Sequence, residues 1–310
     1  MLTRRTVILA GLEGTTYAVA ATATAPLLAW DVELDIKGEV LQRDILRDTL
    51  SPAPHVIGMK EVGLSFKTEI KASASAGTAP EISALLSACG FGTSVITGTG
   101  ARTYTLKSNE ADIKSASLWV YKDGNRHEIR GARGNVRFIF EAGKYGVCEW
   151  ELSGLYGTVF AVALPDLAGA ETALPPICYA ANFQIGGFSP VTTRAQIDLG
   201  NTIARRDSLN EAYGVKGFRI TKREGKLEFD ADAVVESSNP FWGDWAGEIV
   251  DTFNVKIGTA AGNTIKVNGI FEYESNKYGD QDGVSKYDCK AALVSSDVNT
   301  QNDELVITFS

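Results

Sequence analysis

Residues 32–36 (Val-Glu-Leu-Asp-Ile) alternate apolar and polar side chains, and residues 62–70 do so over a longer run. A period of two marks a strand with one face buried, so both segments are predicted strands. Residues 117–121 and 127–130 also read as strand and flank Lys122-Asp123-Gly124-Asn125. Asp-Gly tolerates the positive φ angles of a tight turn, which predicts a β-hairpin. Residues 135–141, with Val136, Phe138 and Phe140 turned inward, and residues 147–155 extend the sheet. The second half has the same character: strands at 264–267, 269–274, 285–293 and 305–309, with a turn at Gly279-Asp280-Gln281-Asp282-Gly283. Trp119, Phe138, Phe140, Trp150 and Tyr156 fall at strand spacing and are expected in the core.

A period near 3.6 occurs in one place with clear boundaries. Ile82, Leu85, Leu86 and Cys89 stand at i, i+3, i+4 and i+7, after Pro80 and before Gly90, predicting a short helix. A weaker counterpart follows Asn239, an expected N-cap, with Pro240, Phe241, Trp242, Trp245 and Ile249 behind it.

The pattern also repeats. Laying residues 35–70 over 198–233 without a gap, an offset of 163, gives 8 identities in 36 positions: Asp35/Asp198, Arg43/Arg206, Asp44/Asp207, Leu46/Leu209, Ile57/Ile220, Glu61/Glu224, Leu64/Leu227 and Phe66/Phe229. The unit is domain-sized, too long for a solenoid repeat. The expected organisation is residues 1–165 as an N-terminal arm plus a first domain, residues 166–176 as a Pro-rich linker, and residues 177–310 as a second domain of the same type. Residues 43–61 and 206–224 read as two long loops of equal length between strands, each opening on Arg-Asp. Loops of that length usually serve a purpose. Arg43, Asp44, Arg47 and Asp48 in the first, with Arg206, Asp207, Glu211 and Lys216 in the second, are the candidate residues for contact with another subunit, through complementary charge pairs.

Composition narrows the chemistry. A formal charge of −8, mixed along the chain, argues against gripping nucleic acid through its phosphates and suits a surface that DNA passes without sticking. Cys89, Cys148, Cys178 and Cys289 are scattered without a CxxC spacing, so free, partly buried thiols are expected rather than a zinc site. With only His55 and His127, histidine chemistry has little material. Residues 279–284 begin like a calcium loop but lack its later ligands. The Gly98-Thr-Gly-Ala-Arg stretch has no GK[ST] signature. Gly131-Ala-Arg-Gly reads as a bulge between strands. No catalytic constellation and no cofactor site emerge. Arg4-Arg5 before the apolar run 7–12 has the look of a secretion signal, but the run is short and closed by Glu13, so an ordered N-terminal arm is expected instead.

An ordered set of segments resembles one family. It comprises Val7-Ile-Leu-Ala-Gly-Leu-Glu-Gly-Thr-Thr-Tyr, Gly38-Glu-Val-Leu-Gln-Arg-Asp, Val56-Ile-Gly-Met-Lys-Glu-Val-Gly-Leu-Ser-Phe and Gly77-Thr-Ala-Pro-Glu-Ile-Ser-Ala-Leu-Leu-Ser-Ala-Cys-Gly-Phe. Gly131-Ala-Arg-Gly-Asn-Val, Leu152-Ser-Gly-Leu-Tyr-Gly and Asp303-Glu-Leu-Val-Ile-Thr-Phe follow in order. The set is similar to the major tail tube proteins of long-tailed bacteriophages. The resemblance implies a mainly β fold, with a β-sandwich or partial barrel and one short helix per unit. It also implies a structural virion protein of the tail, assembled in the host cytoplasm, whose rings stack into a hollow tube for DNA. Partners implied are further copies of the chain, a tape-measure protein, a tail terminator and distal tail proteins, with no membrane and no specific DNA binding. Two units per chain lead to an expectation of three chains per ring. The competing expectation is a two-domain β-sandwich adhesion module, with Trp119, Trp242 and Trp245 as exposed stacking platforms.

Overall fold

Alternation does become strand in the computed structural model, which describes residues 2, 4–22, 24–73, 75, 77–92, 95–96, 100–179, 181–260 and 262–310. Gly98 and Thr99 of the glycine-rich stretch lie outside the described residues. The fold is mainly β. In the first half, β1 (Thr6–Leu12), β2 (Ala25–Leu27), β3 (Ala29–Leu41) and β4 (Val56–Glu69) precede a helix, α1 (Ser83–Ala88). β5 (Val95–Ile96), β6 (Arg102–Thr105), β7 (Ala116–Lys122), β8 (Asn125–Glu141) and β9 (Val147–Ala161) follow. In the second half, β10 (Asn182–Ile185), β11 (Arg194–Asp198), β12 (Asn201–Asp207), β13 (Val215–Arg223) and β14 (Lys226–Asp232) precede α2 (Phe241–Ala246). The chain continues through β15 (Val250–Ile257), β16 (Ile265–Gln281), β17 (Val284–Leu293) and β18 (Leu305–Phe309).

The expected hairpin joins β7 to β8, and Asp123 (φ 37°) and Gly124 (φ 104°) supply its turn. β8 runs further than its alternation suggested because a bulge lets it turn without ending. Its register slips between Arg130 and Arg133, at Gly131 with φ 61°. Likewise 264–267 and 269–274 are one strand, β16. The two long loops are shorter than expected: β3 and β4 form one hairpin and β12 and β13 another, so residues 56–61 of the first and most of the second are strand, while 42–55 and 208–214 are irregular. Apolar–polar alternation is weak there because both faces of these strands meet solvent over much of their length. The segment at residues 6–12 is a strand paired with β7 and β2, rather than an arm reaching elsewhere.

Ile82, Leu85, Leu86 and Cys89 are buried as their spacing requires, and Gly90 closes the helix at φ 97°. α1 starts at Ser83, three residues after Pro80. At α2 the N-cap is Pro240, not Asn239, and no side chain caps the helix. Phe241 drives its packing instead, fully buried among Phe188, Tyr273 and Tyr287.

The two halves do not fold as separate sheets. β8 pairs antiparallel with β11, and β18, the last strand, pairs with β6. The buried side chains form one continuous core running from Ile8 and Leu64 through Phe138 and Ile197 to Phe271 and Phe309. Along the β8–β11 junction Phe138 faces Ile197 and Phe140 faces Ala195, all buried.

One buried charge cluster sits just before α1. The Lys71 ammonium donates to the Glu171 carbonyl at 2.9 Å and stands 3.6 Å from Glu81 and 3.7 Å from Glu69. Neither Glu81 carboxylate oxygen finds a hydrogen-bond partner among the described residues. Burial pushes the Glu81 pKa up to about 7, with Lys71 pulling the other way. An acid raised on folding takes up a proton, so its stabilising share is complete below about pH 4.5 and is lost as pH rises through 7. Glu81→Gln removes this dependence. Between pH 5 and 8 the fall in Tm of the wild type is expected to exceed that of the variant by roughly 2–6 °C, read by thermal scans across pH.

Candidate functional site

The strands β3-β4-β9-β8 lie side by side, and β11-β14-β17-β16 continue the same sheet across the β8–β11 junction. Their alternate residues divide cleanly. Leu64, Phe66, Trp150, Leu152, Phe138, Ile197, Leu227, Phe229 and Ala291 face the core. The opposite face is polar. One row across it reads Lys67, Glu149, Arg137, Asp198 and Lys226, neighbours on five successive strands with alternating charge.

The ion pairs in this row are close: Lys67–Glu149 3.2 Å, Arg137–Glu149 3.7 Å and Arg137–Asp198 2.8 Å. The last crosses between the halves. Burial works upward on the Asp198 carboxyl, but hydrogen bonds from Asn135, Arg137 and the Gly200 N–H outweigh it and hold the pKa below the usual carboxylate range. The Asp198 hydrogen bond in turn raises Arg137. Above β3, β4, β8 and β9 the face holds a groove of about 720 Å3, in which Asp31, Glu33, Glu149 and Glu151 outnumber Lys67 and Arg137.

One edge of this eight-stranded array carries no strand, and the other is covered over only part of its length. β3 pairs only with β4, and residues 274–281 of β16 pair only with β17, since β15 reaches no further than Glu272. The edges are also where large apolar groups emerge: Ile36 on β3, and Tyr278, 65% exposed, on β16. An open edge is a ready template for another chain.

The candidate contact residues lie on the two hairpin arms, and the structure does not bring the two sets together. Residues 42–55 at the tip of the first arm are exposed, apart from half-buried Ala53. Arg43, Asp44 and Asp48 form no ion pair with any described residue, and Arg47 donates to the Ser51 carbonyl at 2.7 Å. Leu46 and Leu50 beside them are exposed at 98% and 106%.

The second arm is folded back over the first half. Asp207 accepts from Arg205 at 2.9 Å, and Arg205 also reaches Glu61 on β4 at 3.2 Å. Arg206 lies opposite Gly217 in the β12–β13 ladder, Glu211 stands at the turn, and Lys216 is exposed on β13. Tyr213 packs edge-on against Tyr156, with the Lys60 ammonium 4.9 Å above its ring.

Periodicity and charge did not mark the residues that seat this arm, although Tyr17 and Arg133 lie in segments that carry the resemblance. Tyr17 donates to the Gly131 carbonyl at 2.7 Å and accepts from the Phe218 N–H at 2.8 Å, tying β8 to β13. Asn201 donates to the carbonyls of Cys89 and Gly134 at 2.7 and 2.9 Å. Arg133, buried, reaches Glu110, Ile113 and Phe218. Only the opposed N–H and C=O groups that tertiary packing creates give these side chains their roles. Glu13 is another: buried, it accepts from Ser115, Ser117 and the N–H groups of Ala18 and Gly131.

All four cysteines are free and buried, and burial raises their pKa, to about 11 for Cys178 and about 12 for Cys289. Among the described residues no three His, Cys, Asp or Glu side chains cluster as metal ligands, and no helix is long and apolar enough to cross a membrane. Trp242 packs on Tyr278 with ring centroids 5.3 Å apart and planes tilted by 30°, and Trp119 lies under the Arg126 guanidinium. No protein-family model and no curated protein matches the chain.

Tyr17→Phe keeps the ring and removes both hydrogen bonds, leaving the Phe218 N–H and the Gly131 carbonyl without this partner. It is expected to cost about 1–3 kcal/mol in urea unfolding. A loss near zero would show that the bridge does not hold the arm.

Proposed function

We propose that the chain is a structural subunit of a phage tail tube, built from two tandem units and assembling as three chains per ring, with rings stacked into a hollow tube. The observation that carries this reading is the sheet that passes through the β8–β11 junction. Four strands of the first half and four of the second occur in the same succession. Leu34 faces Leu64 just as Ile197 faces Leu227, each pair displaced by the offset of 163 seen in the sequence. Both hairpins slip register at the same place, between Gly38 and Val40 and between Thr202 and Ile203.

A sheet that already joins two units edge to edge, with a free edge at each end, is suited to repeat around an axis. Head-to-tail contacts of this kind close into rings when the rotation between copies divides a full turn. The polar face would then line the lumen. Lys67, Arg137, Lys226 and Lys290 on it are engaged in ion pairs and its groove is richer in carboxylates, which suits passage of DNA without capture. Stacking contacts are assigned to the first arm, where Arg43, Asp44, Arg47 and Asp48 surround bare Ile45, Leu46 and Leu50. The exposed charges Asp207, Glu211 and Lys216, with Arg206, are assigned a supporting part. A tape-measure protein, terminator and distal tail proteins would be the partners of such a tube.

Electron microscopy of purified protein tests the reading. Hollow rings or tubes with three repeating units in end-on views are expected. Compact single chains at high concentration that bind glycans saturably would overturn it in favour of a surface adhesion module. For the arm, Leu46→Asp with Leu50→Asp is expected to shorten or abolish tubes while Tm stays within about 2 °C, because both side chains are exposed. Full-length tubes from this variant would remove the arm from the stacking contact.

A further inference from the structure

The junction inside the chain specifies, residue by residue, what a junction between chains would look like. In β4–β9 Phe66 faces Trp150, and in β14–β17 its counterpart Phe229 faces Cys289. Trp150 then faces Val136 on β8, and Cys289 faces Asn276 on β16. Asn276 of β16 therefore occupies the place of Val136 in β8, Lys277 that of Arg137, and Tyr278 that of Phe138. On the other edge, Asp35 and Leu34 of β3 occupy the places of Asp198 and Ile197 in β11.

We propose that the free edges of successive copies join in the register of the β8–β11 junction. β16 of one copy pairs antiparallel with β3 of the next, so that Lys277 lies opposite Asp35 of the next copy and Tyr278 opposite its Leu34. This rests on the tube reading for the fact of assembly and adds its geometry. Three observations support it. The charge signs are conserved across the substitution: Arg137–Asp198, 2.8 Å apart within the chain, becomes Lys277–Asp35 between copies. Both groups await a partner, since Lys277 has no ion pair with any described residue and Asp35 meets only exposed Lys37 of its own strand at 3.4 Å. Finally, the apolar groups that the internal junction buries, Phe138 and Ile197, have exposed or half-buried counterparts in Tyr278 and Leu34. The copy is imperfect at one end. The internal Glu141–Arg194 pair, 3.9 Å apart, corresponds to Gln281 and Asp31, so one charge pair is not repeated.

Cross-linking reads the register directly. Opposed residues in an antiparallel pair hold their Cβ atoms about 4.5–5.5 Å apart, near enough for a disulfide, and the four native thiols are buried. Chains carrying Asp35→Cys mixed with chains carrying Lys277→Cys should give a disulfide-linked dimer on mild oxidation. The double variant should give covalent species ending at three chains. Leu34→Cys with Asp280→Cys, out of register by two residues, should give neither. In parallel, Lys277→Glu should raise the protein concentration needed for assembly at least tenfold, and adding Asp35→Lys should restore it. Both sites are exposed, so each variant is expected to fold, with an unchanged circular dichroism spectrum. Tubes without the Asp35–Lys277 cross-link would overturn the register and leave the tube standing. Wild-type protein that never assembles would overturn both.

Discussion

Backbone hydrogen bonding at strand edges is the constraint from which the rest of this structure follows. Every N–H and C=O in a strand needs a partner or water, and β11 finds part of its own on β8, across the boundary between the halves. That one ladder turns two sets of strands into a single sheet with a single core. It brings Phe138 against Ile197 and Phe140 against Ala195, and it sets Arg137 beside Asp198. The return of β18 to pair with β6 closes the halves together a second time.

The same ladder decides the electrostatics. Strands in register place side chains of successive strands in rows, so charges that are far apart in sequence become neighbours. Lys67, Glu149, Arg137, Asp198 and Lys226 alternate in sign because the registers of four strand pairs agree. Exposed ion pairs add little stability singly. What they do here is hold Lys67, Arg137 and Lys226 beside carboxylates of neighbouring strands.

The two arms show how one pattern reaches different ends. Both extend the same kind of hairpin with a slip at the same position. The second has the first half beneath it and docks through Tyr17, Asn201 and Arg205. The first has no other half of its own chain beneath it, so its tip presents Leu46 and Leu50 to solvent. A position without a neighbour inside the chain is where a neighbour from outside is most useful.

The sequence by itself determined the local elements. Period-two alternation located β4 and part of β3, and the strand-like runs at 117–121, 285–293 and 305–309 located β7, β17 and β18. Asp123-Gly124 located a turn because few other pairs tolerate positive φ at both positions. Apolar spacing located α1, and the gapless repeat pointed to two matching hairpins. It found the irregular tip of the first arm but ran both loops too far, into β4 and across β13, since strands wet on both faces lose their alternation. It placed a cap at Asn239 where the packing of Phe241 decides the helix start. Only the tertiary structure decided which strand follows which across the sheet, that β8 meets β11 and β6 meets β18, and which polar side chains become bridges. Those are contacts between residues distant in the chain, fixed by the joint burial of apolar faces and the pairing of backbone groups, and no local pattern of residue types encodes the partner of an edge.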